Sequence, residues 1–225
     1  MLNNKLTATI LAFTFLISGF LQVQAQKAGS PFKGVINYTV TYPDAQLDAS
    51  QLAMMPKTVK VTLNGNKARI DINMPSMSQI VLLDSDQKST IMLFEMAGNK
   101  VALKPNKKGN NTKEPVVVVT AETKDIAGFT CKKAEINFGD EKSKGSPIVV
   151  YFTEAIGNNK IFYDNEYRTL PGIPLEFYYK MQGMSMLLTA TSIEKGKVSN
   201  RDFEVPSDYK EMTPDELRQM FGGGK

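Results

Sequence analysis

Apolar and polar residues alternate with a period of two through most of this chain, which commits it to strands with one buried face. Val59, Val61 and Leu63 alternate with Thr58, Lys60 and Thr62. Beyond Asn64-Gly65-Asn66 the pattern resumes as Ala68, Ile70, Ile72 and Met74 against Lys67, Arg69, Asp71 and Asn73. Successive side chains of a strand point to opposite faces, so each run has one face to hide from water. Asn-Gly between two such runs marks a hairpin, because both residues accept a positive φ. Ile36, Tyr38, Val40 and Tyr42 form another alternating set. Ile173, Leu175, Phe177, Tyr179 and Met181 form a third, which turns at Gln182-Gly183 into a strand over 184–194. Further strands are expected at 79–83, 89–95, 100–103, 116–121, 129–138 and 148–153.

Strands that follow one another through short turns pair antiparallel, since parallel pairing requires long crossovers. Two segments read as helix. Asp44 to Met55 ends at Pro56, and Thr213-Pro214-Asp215-Glu216 is a capping box that opens a helix to Phe221, with Gly222 at its end. These helices are too little material to cover a flat sheet of this size, so the sheet must curl. The expected fold is mainly β: a single highly curved antiparallel sheet, an incomplete barrel, with two short helices near its open side.

Lys5 precedes an apolar run from Ala8 to Leu21, followed by small residues at Val23 and Ala25. This is the pattern of a cleaved secretory signal over residues 1–25, leaving 26–225 as one β-rich domain. The run spans about 14 residues, short of the roughly 20 a membrane helix needs. No Cys follows the cleavage site to accept a lipid, so a soluble periplasmic or secreted protein without stable membrane insertion is expected. Losing Lys5 lowers the net charge from +4 to +3, and the remaining basic residues are interspersed with acidic ones. That distribution lacks the concentrated field that nucleic-acid binding needs. Oligomeric state is left open.

The chain has no His and one Cys, which removes Ser-His-Asp and Cys-His arrangements, His-containing zinc sites and any internal disulfide. Ser185 lacks the second Gly of a nucleophile elbow. The run from Asp84 to Glu95 has the length of a calcium loop, but Lys88 and Ser89 replace a ligand and the turn Gly. Asp164 and Glu166 fit a surface loop better than a glycosidase pair, and Cys131 fits a small buried side chain. No catalytic residue, metal site or cofactor is expected, and the chain reads as a non-enzyme.

Methionine is the unusual usage. Met74-Pro-Ser-Met77 and Met181-Gln-Gly-Met184-Ser-Met186 bring thioethers close together near strand ends. Ordinary core filling is the first reading, an adaptable apolar binding surface the second, and Cu(I) the least favoured, because neither cluster supplies an additional ligand.

Four stretches of the second half fall in a distinctive order: Gly128-Phe-Thr-Cys131-Lys-Lys-Ala-Glu135, Val150-Tyr-Phe-Thr-Glu154, Leu170-Pro-Gly-Ile-Pro-Leu-Glu176 and Phe203-Glu-Val-Pro206-Ser-Asp-Tyr209-Lys-Glu-Met212. Together they resemble an uncharacterised family of exported Bacteroidetes proteins, domain of unknown function 4412, over roughly Phe32 to Met212. That family is more remotely similar to the periplasmic lipoprotein carriers of lipoprotein localisation. The resemblance implies a curved sheet whose concave face holds acyl chains beneath short helices, a lid the two helical segments here would supply. The expected activity is non-enzymatic binding of an apolar or amphipathic cargo, a lipid, acyl chain or lipidated peptide. Ile70, Ile72, Met74, Leu175, Phe177, Tyr179, Met181, Met184 and Met186 are the expected lining. The alternatives are an envelope structural or interaction protein with a filled core and a methionine-based Cu(I) handler.

Overall fold

The computed structural model describes residues 31–104, 114–138, 147–157, 160–181 and 183–221. The expected signal segment and most of the Lys-rich 104–115 loop lie outside the described residues, as do Gln182 and Gly222.

Twelve strands form one sheet. The first half is a run of hairpins: β1 (Lys33–Thr41), β2 (Thr58–Asn64), β3 (Lys67–Met74), β4 (Met77–Asp84), β5 (Ser89–Met96) and β6 (Asn99–Leu103). The second half repeats the scheme with β7 (Val116–Ile126), β8 (Phe129–Asn137), β9 (Ile148–Thr153), β10 (Ile173–Met181) and β11 (Met184–Lys195). β1 pairs with both β2 and β11 and so welds the halves together. The spatial order is β12-β6-β5-β4-β3-β2-β1-β11-β10-β9-β8-β7, where β12 is the short strand Lys210–Met212. The ends of this order do not pair, so the sheet stays open, as expected for an incomplete barrel.

Turn chemistry sets the registers. Gly65, at φ 63°, lets Asn64 pair directly with Lys67, and the β2–β3 ladder then runs unbroken to Val59 opposite Ile72. Register shifts bend the sheet locally where Thr191 of β11 is extra opposite Asn37/Tyr38, at Pro174/Glu176 in β10 and at Val119/Thr123 in β7. Leu175 is the extra residue of the β10 bulge.

Both helices are present and short. α1 (Ala49–Met54) is capped by Asp48, whose side chain accepts from the Gln51 amide while Gln51 returns a bond to the Asp48 amide. None of its residues is buried. α2 (Pro214–Phe221) starts at the Thr213–Glu216 box expected from sequence. No helix among the described residues is long and apolar enough to cross a membrane.

Burial is split between the two faces. The main core fills the concave side of β1, β2 and β8–β11, where Ile36, Leu63, Cys131, Val150, Phe152 and Met186 are fully buried. A second, smaller core lies on the convex side, built from Leu82, Leu93 and Ala102 under Val205 and Tyr209. A C-terminal strap forms that cover. Arg69 donates to the carbonyl of Asp202, Lys100 pairs with Asp208 at 2.8 Å, and β12 joins the β6 edge in parallel. This is the one parallel pair among the described strands, and a three-residue strand carried no periodicity that could announce it.

A lidded apolar cavity on the concave face

Side chains of one parity from seven strands face a cavity of about 270 Å³. Ile36 and Tyr38 come from β1, Val59, Val61 and Leu63 from β2, and Ile70 and Ile72 from β3. Val81 and Leu83 of β4 with Thr90 and Met92 of β5 form one wall; Phe177, Tyr179, Met186 and Leu188 of β10 and β11 form the other. The curl of the sheet turns these faces toward each other, and a flat sheet with the same sequence would leave them open to water.

The roof is the irregular segment between β9 and β10, described over 154–157 and 160–172. It contains a 3-10 turn, Lys160–Phe162, and contributes Ile161, Phe162, Asp164 and Asn165 to the lining. Its near end is fixed by aromatic packing: Phe177 meets Tyr38, Phe162 and Tyr167 edge-on at centroid separations of 5.8, 6.2 and 5.4 Å. Buried Tyr167 also donates its hydroxyl to the carbonyl of Tyr178. The segment re-enters the sheet at Gly172, where a Cβ would stand 2.4 Å from the Thr153 carbonyl oxygen. Across the cavity, the Tyr163 and Thr90 hydroxyls share a 3.0 Å hydrogen bond that joins the roof to β5. The roof is thus held by aromatic packing on the β10 side and by this hydroxyl pair on the β5 side.

Ionisable groups concentrate on this roof. Withdrawal from water raises the Asp164 carboxyl above the usual aspartate range. Burial, followed by the charges of Glu166 and Asp164, raises Tyr179. The apolar cavity environment therefore penalises charge at its margin. Asp164 and Glu166 sit on the roof of an apolar chamber rather than flanking a polar cleft. Cys131 is buried beneath the main core, and loss of solvation pushes its thiol up to about 11, which keeps it protonated and unreactive at neutral pH.

Of the residues singled out from sequence, Ile70, Ile72, Phe177, Tyr179 and Met186 border the cavity. Leu175 is fully buried in the main core at the bulge and does not border it. Met74 and Met184 are half-buried at one rim of the sheet, outside the cavity; Met184 lies beside Asp44 and Ala45 in a shallow surface cleft. Met181 pairs with Met184, and its side chain is outside the described residues. No described residue of either helix lines the cavity, so the cover comes from 154–172 and not from the helices. Sequence reasoning missed that roof because Ile161, Phe162, Tyr167 and Leu170 follow no strand or helix period. It also missed Leu188, which continues the alternation of Met184 and Met186, and Met92, whose run Ile91-Met92-Leu93-Phe94 is apolar throughout and so gives no face.

No family model matches the chain, and no curated protein matches it. Among solved structures, a LolA superfamily protein from Nitrosomonas europaea aligns over 80% of this chain and 94% of its own, with a TM-score of 0.34 and 11% sequence identity.

Proposed function

We propose that this protein is an exported, non-enzymatic carrier that holds an apolar or amphipathic cargo, a lipid, an acyl chain or a lipidated peptide, in the roofed concave face. The observation that supports this reading is the cavity itself. Its volume of about 270 Å³ is near the lower end of ligand pockets, and its lining is apolar apart from Thr90, Asp164, Asn165 and the tyrosine hydroxyls. A mostly apolar lining of this kind favours apolar guests, which gain by leaving water. Met92 and Met186, one on each wall, give the lining side chains that adapt to chains of different shape. The hydroxyl pair Tyr163–Thr90 joins the roof to β5 at the partly exposed margin of the cavity, and opening it would give such a guest a way in.

The test is saturable binding of a fluorescent acyl probe by the purified protein, repeated with Met92→Asp. Met92 is half-buried and faces the cavity, so the charge can remain hydrated in an open chamber while repelling an apolar guest. Binding that disappears in Met92→Asp, with the circular dichroism spectrum unchanged, is the expected outcome. A wild-type protein that binds no acyl or lipid probe would sink the reading.

A further inference from the structure

In sequence Met74 and Met77 stand as a pair; the sheet adds a third methionine to them. Met74 and Met77 flank the Pro75-Ser76 turn and pair directly, and Met77 pairs on its other side with Met96 at the end of β5. Met96 is distant in sequence from Met74 and becomes its neighbour only through the β4–β5 register. All three share the concave face, because Ile72, Val81 and Met92, an even number of residues away on the same strands, line the cavity. Neighbouring strands lie about 4.8 Å apart, and on a concave surface their side chains lean together. Each of the three is half-buried, shielded but reachable from solvent.

This row is separate from the cavity. The next row inward on the same face is Ile72, Gln79 and Phe94, and Gln79 is buried, which places a polar amide between the thioethers and the apolar chamber. A simple extension of the cargo surface would have an apolar residue there. What the row does offer is three soft, neutral sulfur donors with no imidazole in the chain and, among the described residues, no cluster of three or more His, Cys, Asp or Glu side chains suited to harder ions.

We propose that Met74, Met77 and Met96 form a thioether site for Cu(I) at this rim of the sheet. Thioethers carry no proton to lose, so binding is independent of pH across the range where His and Cys sites titrate.

The experiment is an anaerobic Cu(I) titration of the intact protein against a chromogenic chelator. It is paired with Ag(I), a redox-inert substitute, followed by the NMR signals of ¹³C-labelled methionine methyls. One equivalent should bind, equally at about pH 5.5 and about pH 8, and the methyls of Met74, Met77 and Met96 should shift while those of Met92 and Met186 stay in place. Met77→Leu and Met96→Leu keep apolar volume and fold, and each should weaken Cu(I) about tenfold or more without changing acyl-probe binding. Failure to bind an equivalent, full binding by the Met74→Leu/Met77→Leu/Met96→Leu variant, or shifts centred on Met184 or Met186 would each overturn the assignment.

Discussion

The two wings of this sheet differ in how their faces are buried. In β1, β2 and β8–β11 the main core is buried, with Phe152, Val150, Cys131 and Ala134 at 0% exposure. The outer side of β7–β10 carries ion pairs such as Lys124–Glu176 at 2.7 Å and Lys133–Glu122 at 2.8 Å. In β3–β6 both faces take part. The convex side holds a core, Leu82, Leu93 and Ala102 beneath the strap, while on the concave side Ala68, Ile72, Val81 and Val101 are buried beside half-buried Ile70, Met74, Met77, Leu83, Met92, Phe94 and Met96. A strand has two faces, and a sheet with one apolar filling can be stabilised from either. By adding support for β3–β6 on the outside, the fold leaves part of the inside of that wing unfilled, and the cavity forms between the two wings.

Substitutions separate the regimes. Phe152→Ala, in the filled wing, should cost about 3 to 5 kcal/mol, the range for losing a buried aromatic side chain. Chemical denaturation reads this, and a value near 1 kcal/mol would mean the main core is loosely packed. The adjacent pair Leu93 and Met92 gives the sharper comparison, since one faces the strap and the other the cavity. Leu93→Ala should cost about 2 to 4 kcal/mol, and Met92→Ala less than about 1.5 kcal/mol because no filled space is emptied. Equal losses would show that the cavity is packed in solution.

The next effect lies in the filled wing and depends on pH. The Cys131 thiol is raised from 9.0 to about 11, mainly by burial, so the folded state prefers it protonated. That contribution is complete below about pH 9 and is lost as pH climbs from 9 toward 11, up to about 2 to 3 kcal/mol over that window. Cys131→Ala should flatten this part of the alkaline limb and leave the later, tyrosine-driven part. An unchanged profile would place the thiol in contact with water. The smallest effect belongs to the Tyr163–Thr90 hydroxyl pair. Tyr163→Phe removes one partly exposed hydrogen bond and should cost about 0.5 to 1.5 kcal/mol, while accelerating both uptake and release of an acyl probe in stopped-flow measurements. Unaltered rates would assign the gate to another contact.

These differences mark what the sequence made legible. The Asn64-Gly65-Asn66 hairpin and the alternation through β10 and β11 carried enough local information to place Ile70, Ile72, Phe177, Tyr179 and Met186 on one surface, because turn type fixes register and register fixes face. The bulge at Leu175 interrupted that logic without a visible cue, since an inserted apolar residue continues the alternating count. The strap, the roof and the neighbours of Met77 were hidden for a common reason. Each depends on segments meeting across the sheet, and neither Val205 above Leu93 nor Met96 beside Met77 follows from any local period.

The central claim is that the concave face is hollow and takes an apolar chain beneath the 154–172 roof. Methionine methyl NMR with a spin-labelled acyl chain tests it most directly, because the label broadens only the methyls it approaches. Met92 and Met186, on opposite walls of the cavity, should broaden together at stoichiometric chain, while Met54, 49% exposed on α1, keeps its line width. Broadening confined to Met54 and other surface methionines, with Met92 and Met186 unaffected at saturation, would contradict a concave cargo site.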